Sequence, residues 1–337
     1  MTKIDIFSGF LGAGKTTLIK KLLAEAYRGE KVVLIENEFG QIGIDSGFLK
    51  ESGVQITEMN QGCICCSLVG DFGKALHQVL TDFAPDRILI EPSGVGKLSD
   101  VIRAVKDVTE DGAAVLNSAT VVVDAGKCKL YMRNFGEFFN DQVESARCIV
   151  LSHTDNIPED KLSAAVAMLR EHNESATVVT TPWSVLDGAQ LVGAMEQTAT
   201  LRTALEEMEQ EHKHHHHHHH DGECDDPDCH CHDHEHEHHH HHHHADDVFT
   251  SWGAETSRKY TAEGIRAALE SLDETRFGTV LRAKGIVAAE DGSWIHFDYV
   301  PGEPDVRVGG ADVIGRLCVI GAGLDKSAIA ALFGLEA

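Results

Sequence analysis

Gly9-Phe10-Leu11-Gly12-Ala13-Gly14-Lys15-Thr16-Thr17 is a complete G-x-x-x-x-G-K-T loop, a spacing built to hold phosphate. Glycines at 9, 12 and 14 let consecutive backbone N–H groups close around phosphate oxygens without a Cβ in the way. Lys15 can then reach the β- and γ-phosphates, and the Thr16 hydroxyl can hold Mg²⁺. A second cluster, Cys63-Ile64-Cys65-Cys66, puts three thiols within four residues, flanked by Gly62 and Ser67. In an extended backbone Cys63 and Cys65 share a face and Cys66 points away, so all three converge only if the loop turns. Such a segment offers two or three soft ligands and borrows the rest, with Glu36 and Glu38 the nearest candidates. An incomplete thiolate set suits a transfer site, since a closed four-cysteine cage holds zinc structurally. The competing reading is that the thiols pack as small hydrophobes.

Two further positions carry chemistry. Glu91-Pro92-Ser93-Gly94 ends an apolar strand; in phosphate-loop hydrolases an acid there orients the Mg²⁺ shell and a nearby glycine N–H senses the γ-phosphate. Asp155, in Ser152-His153-Thr154-Asp155, can accept both N1–H and N2–H of guanine, groups that adenine lacks, and so points to GTP. The usual guanine-reading tetrapeptide has Asn or Thr followed by Lys where this chain has Ser152-His153. His153 either stacks on the base as a lysine stem would or is a surface histidine.

These residues need a frame. Lys3 to Phe7 reads as a buried strand feeding the loop, and Leu18, Ile19, Leu22, Leu23 and Ala26 follow at helical spacing, which puts a helix N-terminus under the phosphates. Lys31 to Ile35 forms the next strand, with Glu36 and Glu38 at its carboxyl end. Val54 to Thr57, Arg87 to Ile90, Thr120 to Val123, Cys148 to Leu151 and Thr177 to Thr180 read as further strands. Helices around Leu76, Val101 and Leu162–Leu169 alternate with them. The repeat means a doubly wound, mostly parallel α/β sheet, with ligands at the carboxyl ends of its strands. Cys128, Cys148 and Cys318 stand in apolar surroundings and are most simply core residues.

From His212 to His244 the composition changes. Two runs of seven histidines, 214–220 and 238–244, bracket a stretch of Cys, Asp, Glu and further His. It cannot bury a core, and imidazole mixed with carboxylate and thiol suits Zn²⁺, Ni²⁺ or Co²⁺. Past Asp247 a helix around Ile265 is expected, then a strand from Val280 to Val287 and a turn at Glu290-Asp291-Gly292. In the following strand Ile295, Phe297 and Tyr299 should face inward, with Trp294, His296 and Asp298 on the open face. Leu317 to Ile320 and a helix from Lys326 to Phe333 close a small α+β domain.

The chain of 337 residues has a net charge of −25 with no compensating basic cluster, which argues against nucleic acid and anionic membrane as partners. No apolar run approaches the roughly 18 residues of a membrane span, and the phosphate loop leaves no room for a signal peptide, so a cytoplasmic protein with free thiols is expected. The oligomeric state is left open.

Taken together, GFLGAGKTT, ENEFG, GCICC, ILIEPSG, LRAKGIV and VIGAGLDK resemble the CobW family of phosphate-loop GTPases, whose relatives include the HypB and UreG nickel chaperones. The resemblance implies a P-loop GTPase domain over 1–196, a flexible His-rich linker over 197–247 and a CobW-type carboxyl-terminal domain over 248–337. It implies nucleotide contacts from Gly9, Gly12, Ala13, Gly14, Lys15, Thr16, Thr17 and Asp155, with Lys15, Thr16, Glu91 and Gly94 in hydrolysis. Cys63, Cys65 and Cys66, with Glu36 or Glu38, would be the metal motif. Gln41 stands where many members carry an acid. The expected function is that of a GTP-hydrolysing metallochaperone, using Mg²⁺, that binds Zn²⁺ and delivers it to a client metalloprotein. Cobalt delivery toward corrin synthesis, nickel insertion, or a metal buffer centred on the histidine tract are the alternatives.

Overall fold

The structure is a computed structural model that describes residues 1–36, 55–60, 69–110, 112–197, 201, 205, 208 and 250–335. Seven strands form the first sheet: β1 (Thr2–Ser8), β2 (Lys31–Glu36), β3 (Gln55–Asn60), β4 (Arg87–Glu91), β5 (Ala114–Asp124), β6 (Cys148–Ser152) and β7 (Thr177–Val179). Their spatial order is β3-β2-β4-β1-β5-β6-β7, and every pairing is parallel. Six helices belong to this sheet: α1 (Lys15–Glu25), α2 (Val69–Phe83), α3 (Leu98–Thr109), α4 (Cys128–Ser145), α5 (Glu159–His172) and α6 (Gly188–Met195). Helices α2 to α5 pack in a row, while α1 packs on α6. Right-handed crossovers leaving β1 in opposite directions require these two groups to lie on opposite faces. With both faces covered, the strands are continuous apolar runs: Ile4, Ile6, Ile88, Leu89, Ile90, Ile149 and Val150 are fully buried. Each such side chain contributes about 1.5–3 kcal/mol of burial energy. The doubly wound sheet expected from the alternation is therefore what forms, and no described helix is long and apolar enough to cross a membrane.

Helices α4 and α6 and the length of β5 depart from the sequence expectation. Helix α4 was missed because its apolar spacing is irregular. Its backbone breaks helical geometry at Phe135, next to Gly136, and Leu130, Phe135 and Phe138 lie on its exposed side while Phe139 and Val143 are buried. Strand β5 runs well beyond the Thr120 to Val123 core and carries a register shift against β1, between Ile4 and Asp5. The shift re-aims Asn117, whose amide donates to Asp5 (2.8 Å) and Glu196 (2.9 Å). Around Asp5, at the amino end of the sheet, Arg87 pairs with both Asp5 and Glu30, and its guanidinium lies 4.2 Å over the Tyr27 ring.

The second sheet has the main order β12-β11-β10-β13-β8, with β9 paired to β10. Its members are β8 (Thr250–Thr256), β9 (Lys259–Tyr260), β10 (Thr279–Ala289), β11 (Trp294–Val300), β12 (Glu303–Gly309) and β13 (Gly315–Ala322). Helices α7 (Ala262–Ser271) and α8 (Lys326–Leu332) complete it, each capped by a side chain, Thr261 and Asp325 respectively. On the other side of this sheet, Leu201, Leu205 and Met208 pack with Cys318 and Ile320. The two sheets share a seam. Val313 and Ile314 are buried in the first core, and Thr180 N–H and Thr181 N–H both donate to the Val313 carbonyl. The seam also corrects one expectation. Ile295, Phe297 and Tyr299 are inward as expected, but Trp294 is only 7% exposed and lines a cavity of about 270 Å³ together with Asp155, Pro182 and Val185 of the first sheet's edge.

Candidate functional site

The site begins where β1 ends. Gly9 has φ +140° and a Cβ there would sit 2.3 Å from the Val122 carbonyl oxygen of β5, so only glycine lets the chain leave the strand this way. Gly12 adopts φ +72°, a conformation that L side chains rarely take. Gly14, at φ +103°, is the N-cap of α1 and leaves that helix with no side-chain cap and no acid in its first turn. An uncapped helix N-terminus behind three left-handed glycines is a concavity of backbone N–H groups suited to a polyphosphate. Lys15 folds across the loop and donates to the carbonyls of Gly9 (2.9 Å) and Phe10 (3.4 Å). Phe10 in turn stacks on Tyr131 of α4 at 4.9 Å and lies 5.6 Å from Phe139, which fixes the loop's outer edge.

Strand register then brings carboxylates to the loop. Glu36 and Glu91 are direct partners in the β2–β4 pairing, and Glu36 is likewise opposite Asn60, the last residue of β3. Thr16 Oγ1 lies 3.3 Å from each Glu91 carboxylate oxygen, and Lys15 Nζ lies 3.7 Å from Glu91. Hydroxyl and carboxylate oxygens converging on one point are a hard-ligand set that fits Mg²⁺. Gly94 is pressed against the phosphate loop, since a Cβ on it would fall 3.0 Å from the Leu11 nitrogen and 3.3 Å from the Gly9 oxygen. What holds the Gly94 turn there is a residue that sequence reasoning missed. Gln142 of α4, fully buried, donates its amide to the carbonyls of Gly94 (3.3 Å) and Gly96 (2.8 Å). Nothing local marks Gln142, because its partners are more than forty positions away.

At the other corner, β6 ends at Ser152, 5% exposed, and a single 3₁₀ turn over Thr154–Asn156 carries Asp155 at the surface. His153 is exposed and left-handed, φ 58°. The ring that approaches the phosphate loop is Trp183 instead, which no sequence pattern singled out. Its indole N–H donates to the Leu151 carbonyl at 2.9 Å and its Cη2 lies 3.1 Å from where a Gly14 Cβ would be. Lys15, Thr16, Glu91 and Gly94 are thus brought together, and Glu36 adjoins them. Glu38, Cys63, Cys65, Cys66, Gln41 and the tract from His212 to His244 lie outside the described residues. Among the described residues no group of three His, Cys, Asp or Glu side chains is arranged to hold a metal. Burial pushes the thiols of Cys128 and Cys148 up to about 12 and that of Cys318 up to about 11, as core cysteines require.

Similarity to known proteins agrees with this geometry. A "Zinc chaperone YeiR" of Escherichia coli K12 is 29% identical over 56% of this chain and 57% of its own length. A "Zinc chaperone CobW" of a Sinorhizobium species is 36% identical over 47% of this chain and 52% of its own. The chain thus spans about half the length of the curated relatives it matches. A solved Zn(II)-bound YjiA GTPase of E. coli aligns over 100% of this chain and 99% of its own, at 20% identity and a TM-score of 0.41. Residues 3–180 match the model "CobW/HypB/UreG, nucleotide-binding domain" and residues 249–334 match "Cobalamin synthesis protein cobW C-terminal domain", so this chain belongs to the CobW family.

Proposed function

We propose that the protein is a GTP-hydrolysing metallochaperone that carries zinc on the cysteine segment and releases it to a client metalloprotein when the nucleotide changes state. One observation carries the reading: the in-register pair Glu36–Glu91, which joins the phosphate loop on one side to β3 on the other. Cys63 follows Asn60, the last residue of β3, by three positions in sequence, and three residues of chain reach at most about 11 Å. Nucleotide chemistry and thiol chemistry would therefore share one strand edge.

Within that reading the chain's own groups divide the work. The glycine loop and the α1 N-terminus bind the phosphates, and Lys15 places its charge beside the group being transferred. Mg²⁺, when bound, would be held by Thr16 with Glu91 nearby and would neutralise charge on the departing phosphates. The Gly94 N–H, steadied by Gln142, sits where the presence or loss of a terminal phosphate is felt, and Glu91 on the same turn passes that shift to Glu36 and the end of β3. Asp155 selects guanine. The thiolates supply soft ligands for zinc as cargo, and an unfinished ligand set lets a client compete for it. The acidic, histidine-rich tract gathers divalent ions in addition to the sharper thiol site. Two relatives called zinc chaperones support zinc as the cargo.

Because coupling between sites is reciprocal, a nucleotide that changes zinc affinity must have its own affinity changed by zinc in the same ratio. Zinc titrations of the full chain with a non-hydrolysable GTP analogue and with GDP should give affinities that differ by at least about 5-fold. Equal affinities in the two states would leave a nucleotide hydrolase without a delivery cycle.

A further inference from the structure

The tetrapeptide after β6 lacks both side chains that usually tie a guanine base to the phosphate loop. Ser152 is too short to bridge, and its hydroxyl is turned toward the Val123 carbonyl at 3.4 Å. Its Cβ lies 3.8 Å from the place a Gly14 Cβ would occupy, ordinary van der Waals distance, and the Trp183 ring comes closer still. The pyrrole end of the indole is pinned by the hydrogen bond to Leu151, one residue before Ser152, while the benzene edge, Cη2 and Cζ3, lies 3.1 and 3.5 Å from the Gly14 Cβ position. Gly14 has no side chain to hold the ring off, and Trp183 is partly buried, packed against the edge of the first core. The ring thus bridges the phosphate loop at Gly14 and the strand end that leads to Asp155.

We infer that Trp183 is a nucleotide-contacting residue: its indole is the flat apolar surface on which the nucleoside packs, in place of the missing lysine stem. The inference rests on the nucleotide-binding reading above and deepens it by dividing the labour at that corner. Stacking on an aromatic ring is tolerant of base identity, because every base has a π face. Trp183 therefore sets affinity for purine nucleotides in general, and Asp155 sets the preference for guanine. The indole is also held by the same strand end that carries Asp155, so base and phosphate loop are registered to each other through one rigid ring.

The chain has three tryptophans, and the other two, Trp252 and Trp294, are buried in the second sheet. Replacing both by Phe leaves Trp183 as the only indole emitter in the otherwise full chain. Its emission should change on adding GDP or inosine diphosphate and stay unchanged with pyrophosphate, which fills the loop without a base. By calorimetry, Trp183→Ala should weaken GDP and inosine diphosphate alike, by about 10-fold, and Trp183→Phe should restore both to within about 3-fold. Asp155→Asn should instead shrink the ratio between the two. An emission response to pyrophosphate equal to that for GDP would make the ring a structural wedge and overturn the inference, as would a Trp183→Ala protein that binds GDP like the parent. Either result leaves the nucleotide-binding reading standing if the parent binds GDP, whereas a parent that binds no guanine nucleotide removes both.

Discussion

The two ends of the seven-stranded sheet use charge in opposite ways. At the amino end Arg87 and Asp5 are 3% and 0% exposed and densely partnered: Glu30 and the Tyr27 ring on the guanidinium, Ser118 and Asn117 on the carboxylate, and Glu196 tied by Lys3 and Asn117. At the carboxyl end Glu91 meets Thr16 and Lys15 at 3.3 to 3.7 Å, looser than good hydrogen bonds. Both ends hold carboxylates beside a cation. The first is closed at its centre, where removing Arg87 strands the fully buried Asp5 carboxylate, and the second is an arrangement with room for a ligand to improve it. Parallel strands impose this asymmetry, since every strand-to-helix loop emerges at the carboxyl end, where ligands bind in open α/β sheets. Rigidity at the amino end lets the site end stay adaptable.

The comparison breaks first at Arg87. Arg87→Met leaves the fully buried Asp5 charge without its main partner, and urea unfolding should show a loss of about 3–5 kcal/mol, with GDP affinity of the remaining folded protein unchanged. Lys15→Ala is the mirror experiment: GDP and GTP affinity should fall by at least about 10-fold, while unfolding free energy moves far less than for Arg87→Met. Were the two variants to cost equal stability, the ends would not differ in kind. Gln142→Ala sharpens the site half, freeing the Gly94 and Gly96 carbonyls. It should cost about 1–2 kcal/mol of stability and lower single-turnover GTP hydrolysis more than GDP binding.

The smallest effect is a pH dependence at the amino end. Burial pushes the Glu196 carboxyl up, but the hydrogen bonds from Asn117 and Lys3 outweigh it and hold the group below its ordinary value. A carboxylate depressed in the folded state stabilises fully above its unfolded value of roughly 4.3, and that contribution is lost as pH falls through the lower folded value. Melting temperature measured between pH 6 and pH 3 should therefore drop less steeply in Glu196→Gln than in the parent. Equal slopes would show that Glu196 takes no part in the closed network.

What could be read from sequence was what local rules dictate. The phosphate loop, its strand and its helix follow from glycine conformations and apolar runs within twenty-five residues, and all three form as expected. The parallel strands announce themselves because burial on both faces demands unbroken apolar runs. Helix α4 did not, since Leu130, Phe135 and Phe138 are exposed around the break at Phe135. The inward alternation on β11 failed only at Trp294, where the seam covers a face that strand periodicity assigns to water.

By itself, then, the sequence determined the loop, the fold class, and which residue types stand ready for phosphate, magnesium and soft metal. Only the tertiary structure decided that Glu36 stands beside Glu91, that Gln142 holds the Gly94 turn, and that Trp183 lies against Gly14. Strand order and helix packing join positions about forty-five to one hundred and seventy residues apart. No local propensity encodes which of many equally apolar partners is chosen, because that choice is made by the whole core packing at once.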